Sequence, residues 1–373
     1  MSRTRKADLI VVGGGPAGLS AAVAAGSHGA RVVVVESDHK SGGQLVKQTH
    51  KFFGSREEFA GTRGNEIASR LMAELESLAD RVQILNGTTV TGYYREEELF
   101  SAMREEREYF LIDARRAVVA TGAQERIVPF AGNDLPGVYG AGAVQTLMNV
   151  YGVVPGDRVL MVGAGNIGLI VSYQLRQAGV EVAAVLEAAP KVGGYWVHAA
   201  KIRRLGIPIL LRHTVLEAIG DDRVEAAQVS RLDERFRPVG ERLTVPCDLI
   251  CMAVGLTPST ELFWQAGCEM RYVGELCGHV PLRDANMRTS NPGFWVAGDA
   301  AGIEEASAAM IEGRLAGLDA ACSLGLPVSV VEMEALRGRL ANLRAGEKGC
   351  AIRSGLGRIC IEEWEGETLV GNA

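Results

Sequence analysis

Cysteine is missing from the first 246 residues of this 373-residue chain, and the seven that follow (247, 251, 268, 277, 322, 350 and 360) form an odd, scattered set. That pattern excludes a disulfide framework and suits free thiols in a reducing, cytoplasmic compartment. Cys247 and Cys251 flank Asp248-Leu249-Ile250 in a strand-like run, where they are expected on one face as core residues. The six histidines are singletons without ligand spacing, so no metal site is expected. Long apolar runs are also missing. Even Val159 to Val171 carries three glycines and Asn166, far from the ~20 apolar residues of a spanning helix. The basic start, Arg3, Arg5 and Lys6, runs into only Leu9-Ile10-Val11-Val12 before three glycines, too short for a signal-peptide core. Positive charge is in deficit: 39 Lys and Arg against 45 Asp and Glu leave a net charge of -6. No footprint for nucleic acid or an anionic membrane exists.

Apolar residues make up 47% of the chain, ample for a packed interior, and the length suits two or three domains of roughly 100 to 200 residues. Glycine is abundant, 46 residues gathered in short clusters instead of a regular period, which marks the clusters as candidate chemistry. The first cluster lies in a β-α-β unit: strand Ala7 to Val12, helix Pro16 to Ser27, strand Arg31 to Glu36. A helix follows over Asn65 to Asp80, with Ile67, Leu71, Leu75 and Leu78 at helical spacing. Short strands are expected at Val82 to Leu85 and Phe110 to Ile112, and an apolar strand Ala117 to Ala120 ends at Thr121-Gly122. From Arg158 the pattern restarts as strand Val159 to Val162, helix Ile167 to Ala178 and strand Glu181 to Leu186. It continues through strands at Ile209 to Leu211 and Leu249 to Val254, closed by Gly255. The chain therefore contains an internal repeat. Gly293 to Leu324 reads as strand, Gly-Asp turn and a long small-residue helix, a piece returned to the first domain. Met333, Leu336, Leu340 and Leu343 share one face of a later helix that packs against the body.

Gly13-Gly14-Gly15-Pro16-Ala17-Gly18 places G-x-G-x-x-G where a strand turns into a helix. Gly13 permits the tight turn, Gly15 lets backbone approach a diphosphate, and Gly18 lets helix and strand pack closely. The diphosphate then meets free N–H groups at the positive end of the helix dipole. Glu36, eighteen residues after Gly18, is placed to accept hydrogen bonds from an adenosine ribose. The second cluster, Gly163-Ala164-Gly165-Asn166-Ile167-Gly168, repeats the arrangement, with Glu187 nineteen residues after Gly168. A carboxylate there repels a 2′-phosphate and favours NAD(H) over NADP(H), with another adenine nucleotide as the alternative.

GGGPAG with Glu36, VVATGA at 118 to 123 and FWVAGDAAG at 294 to 302 together resemble the two-dinucleotide-binding-domain flavoproteins, the superfamily of glutathione and thioredoxin reductases, over residues 7 to 325. The resemblance implies an α/β fold of two Rossmann-like domains, the second inserted into the first, with FAD on the first and NAD(H) on the second. Residues 1-128 and 286-325 would form the FAD domain, 129-285 the NAD(H) domain and 326-373 a C-terminal tail. It implies that Gly298 and Asp299 reach the flavin ribityl hydroxyls and that Ala306 and Ser307 open the helix aimed at the flavin ring. Thr121, Gly122, Gly43, Gln44 and Thr49 would also line the cofactor. Dithiol reductases carry paired cysteines that are lacking here, which excludes that chemistry.

GGQLVKQTHKFFGS, GGYWVH at 193 to 198 and GIEEASAAMIEGRLAG at 302 to 317 are similar to the α subunits of sarcosine oxidase, hydrogen cyanide synthase, opine oxidases and proline dehydrogenases. Those work beside a second flavoprotein (β) subunit. Many carry a C-terminal [2Fe-2S] module, whose cysteines are not among these 373 residues, so any such centre is expected on a separate small iron-sulfur subunit. Lys47, His50 and Lys51 could bind an anionic substrate, contact FAD phosphates or line a solvated loop. No acid–base pair stands out, so no catalytic side chain is named. The leading expectation is an FAD-dependent oxidoreductase subunit of an amine or imino-acid dehydrogenase complex; a free-standing NADH:acceptor reductase and a non-catalytic nucleotide-binding scaffold are the alternatives.

Overall fold

The structure is a computed structural model that describes residues 4–52, 56–347 and 349–361. Phe53, Gly54, Ser55 and the tail beyond 361 lie outside the described residues. The chain divides into two compact units, one built from residues 1–124 and 257–373, the other from 125–256. The return to the first unit thus comes at Thr257, not at the expected 286. The cause is packing: Leu262, Phe263, Ala266 and Cys268 are buried in the first unit's core with Phe100 and Phe294.

In the first unit β1 (Thr4–Val12), α1 (Pro16–Ser27) and β2 (Val32–Val35) form the expected parallel β-α-β turn, with Val11 paired to Val34. All four β2 residues are valine and all are buried, as a strand covered on both faces requires. Helix α2 (Gly64–Glu76) buries Ile67, Leu71 and Leu75, and β3 (Val82–Leu85) joins β2. Then β4 (Thr88–Tyr94) and β5 (Leu99–Arg104) form an antiparallel hairpin, followed by β6 (Glu108–Val119). The two expected short strands at 110–112 and 117–120 are one twelve-residue strand, because β6 pairs with β5 along its first half and with β1 along most of its length. Sheet order is β3-β2-β1-β6-β5-β4, with the strand Phe294–Val296 parallel to β6. The chain leaves β1 toward β2 on one side and reaches β6 on the other, so the crevice of a topological switch point opens at the carboxyl end of β1.

The helix Ala306–Ser323 crosses α1 at backbone contact. A Cβ on Gly313 would lie 2.0 Å from the Ala17 carbonyl oxygen, and one on Gly317 2.3 Å from that of Ala21. Only glycine allows this approach. The helix Val330–Leu343 buries Met333, Leu336 and Leu340 in the same core.

In the second unit five parallel strands run in the order Ile209–Leu211, Glu181–Glu187, Arg158–Val162, Leu249–Met252, Val138–Gly140, with the helix Asn166–Gln177 after the central strand. An antiparallel sheet of His213–Ile219, Ala226–Leu232 and Pro238–Pro246 completes it. Cys247 and Cys251 are both buried but on opposite faces: Cys247 packs with Ile250 and Met252, Cys251 with Leu249. Alternation fails because Cys247 precedes the strand, where Asp248 turns back to accept the N–H groups of Asp157 and Arg158 at 2.8 Å. Burial raises the Cys251 thiol well above its usual range and pushes Cys247 up to about 12, so neither is a thiolate near neutrality.

Candidate functional site

Both glycine turns are built alike, down to individual atoms. Gly13 takes φ +103° and a Cβ on it would lie 2.3 Å from the Ala120 carbonyl oxygen; Gly163 takes φ +108° and its Cβ would lie 2.2 Å from that of Ala253. A Cβ on Gly18 would meet the Gly13 carbonyl oxygen at 1.9 Å, and one on Gly168 the Gly163 oxygen at 2.1 Å. Gly15 and Gly165 differ from these: the first would meet only the Gly43 Cα, at 3.9 Å, and the second nothing within 4 Å. At these two positions the fold itself leaves space over the backbone at a helix N-terminus. Both sit in ordinary extended backbone, so the glycine is required by something other than the chain's own conformation.

The acids match as well. Glu36 accepts the Gly14 N–H at 2.7 Å through Oε2 and the Asp38 N–H at 2.7 Å through Oε1. Glu187 accepts the Ala164 N–H at 2.9 Å through Oε2 and the Ala189 N–H at 2.9 Å through Oε1. Each carboxylate is thus oriented by two backbone donors and keeps lone pairs for ligand hydroxyls. A second glycine pair closes each turn: Gly42 donates to the Gly14 carbonyl at 2.7 Å and Gly194 to the Ala164 carbonyl at 2.9 Å. Asn166 adds an Oδ1 that accepts the Tyr195 N–H at 2.7 Å. Gly14, Gly42 and Gly194 are functional positions that the motif reading misses, although a signal exists, since each double glycine begins six residues after its acid.

The first turn gathers elements that the second lacks. Gly43 packs on Gly15, where its Cβ would lie 2.8 Å from the Gly15 Cα, and this bare backbone pair forms a cradle for a diphosphate. Gly298, at φ +71°, brings its turn against Ala17, with a Cβ position 2.9 Å from the Ala17 methyl. Asp299 follows, half-buried, beside the buried Ser307 and half-buried Ala306 of the next helix. Burial pushes Asp299 up to about 7, opposed by the Glu304 N–H and reinforced by the charges of Glu312 and Glu304. Thr121 lies beside Gly13 and donates its hydroxyl to the Ser259 carbonyl at 2.7 Å, while Gly122 takes φ +70° with no neighbour within 4 Å. In the second unit Gly255, at φ +107°, accepts the Arg126 N–H through its carbonyl.

The loop after Glu36 is a single 3₁₀ turn, Gly43–Lys47, in which Gln44 is exposed and Leu45 fully buried. Lys47 is buried, His50 stacks on Phe52 at 5.8 Å and Lys51 is exposed, so the three do not form one basic face. Thr49 is half-buried, and its carbonyl accepts from Arg63 at 2.9 Å.

Residues 7–313 match the family model described as pyridine nucleotide-disulphide oxidoreductase. The chain belongs to that family. It is 30% identical over 365 residues to the first subunit of opine oxidase from Agrobacterium tumefaciens (strain Ach5), covering 94% of this chain and 72% of that relative. The alpha chain of sarcosine oxidase from Rhizobium meliloti (strain 1021) is 30% identical over 348 residues, 89% of this chain but only 32% of that longer protein. Among solved structures, T. acidophilum thioredoxin reductase superposes with a TM-score of 0.70 at 22% identity, covering 86% of this chain and 99% of that one. The fold is that of the two-Rossmann-domain flavoproteins, and the chain is an FAD-dependent oxidoreductase of this family. No helix among the described residues is long and apolar enough to cross a membrane.

Proposed function

We propose that the chain holds FAD at its first glycine turn and NAD(H) at its second, and works beside a second flavoprotein subunit in the oxidation of an amine or imino acid. One observation carries this: the same strand, glycine turn, helix and oriented acid occur twice, and only the first copy receives a returning Gly298–Asp299 turn. FAD, when bound, supplies the hydride chemistry, and the side chains around it orient and tune. Gly13, Gly15, Pro16, Ala17 and Gly18 present the α1 N-terminus to the diphosphate, Glu36 accepts from the ribose, and Asp299 accepts from the ribityl chain. The N-terminus at Ala306 and Ser307 favours negative charge on the ring. Gly163, Gly165, Asn166, Ile167, Gly168 and Glu187 serve NAD(H) in the same way, and the carboxylate of Glu187 disfavours a 2′-phosphate.

The two relatives are each one component of an oxidase, which supports a role for this chain within a complex. Anaerobic mixing of the FAD-loaded protein with NADH tests the nucleotide half: the flavin absorption band should bleach. A band that stays oxidised refutes electron exchange with NADH. Purification from the native host tests the partner half, with co-elution of a second flavoprotein expected; a lone, fully active chain would favour the free-standing reductase.

A further inference from the structure

Behind the turn 298–307 lies a buried ionic cluster drawn from three distant parts of the first unit. Glu312, on the helix after the turn, accepts the Gly298 N–H through Oε2 at 3.0 Å. Its Oε1 accepts Arg283 Nη2 at 2.9 Å and Arg344 Nη2 at 2.6 Å. Arg344 also donates through Nε and Nη2 to Glu304, at 2.6 to 3.1 Å. The side chains of Arg283, Glu312 and Arg344 are all at least nine-tenths buried. Burial works against the Arg344 charge, but the Glu312 and Glu304 carboxylates raise its pKa above the usual value, so it stays a cation.

Arg344 is the first residue beyond the helix Val330–Leu343, and its own backbone is fixed. Its carbonyl accepts from Arg353, and Gly349 approaches so closely that a Cβ there would lie 1.9 Å from that oxygen. The short helix Cys350–Leu356 then lays Gly355 on Leu276, and Leu276 in turn packs on Gly302. The C-terminal segment therefore braces the turn 298–307 twice, by charge at Glu304 and Glu312 and by packing at Gly302.

We propose that Arg344 is a positioning residue of the flavin site, one that fixes the turn 298–307 and holds the local charge at which the flavin titrates. The inference rests on the FAD assignment of the first unit. Arg344→Met keeps the stem but removes one positive charge, leaving Glu304 buried without its guanidinium and the neighbourhood of the turn more negative. A reduced flavin gains negative charge, so it is disfavoured. The reduced-to-oxidised ratio at a fixed potential should fall about tenfold, a midpoint about 30 mV lower for a two-electron couple.

The experiment is spectroelectrochemical titration of the FAD-loaded protein, together with titration of apoprotein by FAD. Arg344→Lys should stay near wild type, and Glu304→Gln combined with Arg344→Met should return most of the shift. An unchanged midpoint in Arg344→Met overturns the proposal, as does a double variant that stays as low as the single one. If Arg344→Met does not fold, Glu304→Gln alone carries the test: it removes one negative charge, so the midpoint must rise, and no rise overturns the proposal. Wild-type protein that takes up no FAD would sink the FAD assignment itself; wild type that holds FAD beside an indistinguishable Arg344→Met would sink only this inference.

Discussion

Gly15→Ala separates binding from folding more cleanly than any other change in the first glycine turn. Gly15 lies at φ -78°, ψ -174°, where alanine is unstrained, and the added methyl would meet only the Gly43 Cα at 3.9 Å. The variant should fold as stably as wild type or better, since a compatible Gly→Ala change adds about 0.4–1 kcal/mol by restricting the unfolded chain. Gly13 and Gly18 offer no such test, because alanine there drives a methyl into a carbonyl oxygen. The new methyl at residue 15 instead enters the space kept open for the diphosphate. Losing even one hydrogen bond to a charged group costs about 1.5–3 kcal/mol, which is roughly 10- to 150-fold in affinity. Purified Gly15→Ala should therefore carry little flavin and bind added FAD at least about tenfold more weakly, while thermal unfolding of the apoprotein is unchanged or later. Gly165→Ala, at φ -72°, ψ 179° with no neighbour within 4 Å, is the matched control and should retain FAD. Equal flavin content in the two variants would refute the assignment of cofactors to turns.

Glu187→Gln keeps one acceptor for the two N–H groups but removes the charge, so the preference for NADH over NADPH in flavin reduction should narrow by about tenfold; an unchanged ratio would argue against nucleotide at this turn. Gly313→Ala forces a methyl to within 2.0 Å of the Ala17 carbonyl oxygen and should cost about 3 kcal/mol, the upper end of overpacking, read by denaturant unfolding. Asp299 has a folded pKa of about 7 against an ordinary value of 3.8, so the folded state binds the extra proton between them and wild-type stability falls as pH rises through that window. Denaturation of flavin-free protein should show Asp299→Asn gaining on wild type from about pH 4 to 7, by at most ~1.4 kcal/mol per unit, and levelling above; a flat difference would show Asp299 to be solvated.

Local patterns carry most of what can be read without coordinates. The helices Pro16–Ser27 and Asn166–Gln177 are legible because glycines fix their entry and apolar spacing fixes their face. The hairpin Thr88–Arg104 escapes notice since its strands are half exposed and alternate poorly. Strand β6 reads as two pieces because Asp113 to Arg116 interrupt its apolar pattern, although the ladder to β1 runs through them. The expected boundary at 285 overruns because the chain between 257 and 285 lacks any β-α-β signal, and only its packing with Phe100 and Phe294 assigns it. The ion cluster is out of reach: Arg344 stands 32 residues from Glu312 and 40 from Glu304, with no spacing rule to join them. A lone acid, Glu312, among the small residues of a buried helix is the one available hint.

The difference between the two turns supports the direction of the assignment. A cofactor that stays bound through many cycles needs enclosure, while one that exchanges each cycle needs an open approach. Around Gly15 the chain adds Gly43 against the backbone, Gly298 against Ala17 and a long helix crossing α1 at glycine contact, each an element supplied from farther along the sequence. Around Gly165 no atom comes within 4 Å of the Cβ position, and Trp196, two residues past Gly194, is 72% exposed. The chain thus commits its non-local structure to one turn and leaves the other accessible. That asymmetry is what a resident flavin and an exchanging nicotinamide nucleotide require of two otherwise equal diphosphate cradles.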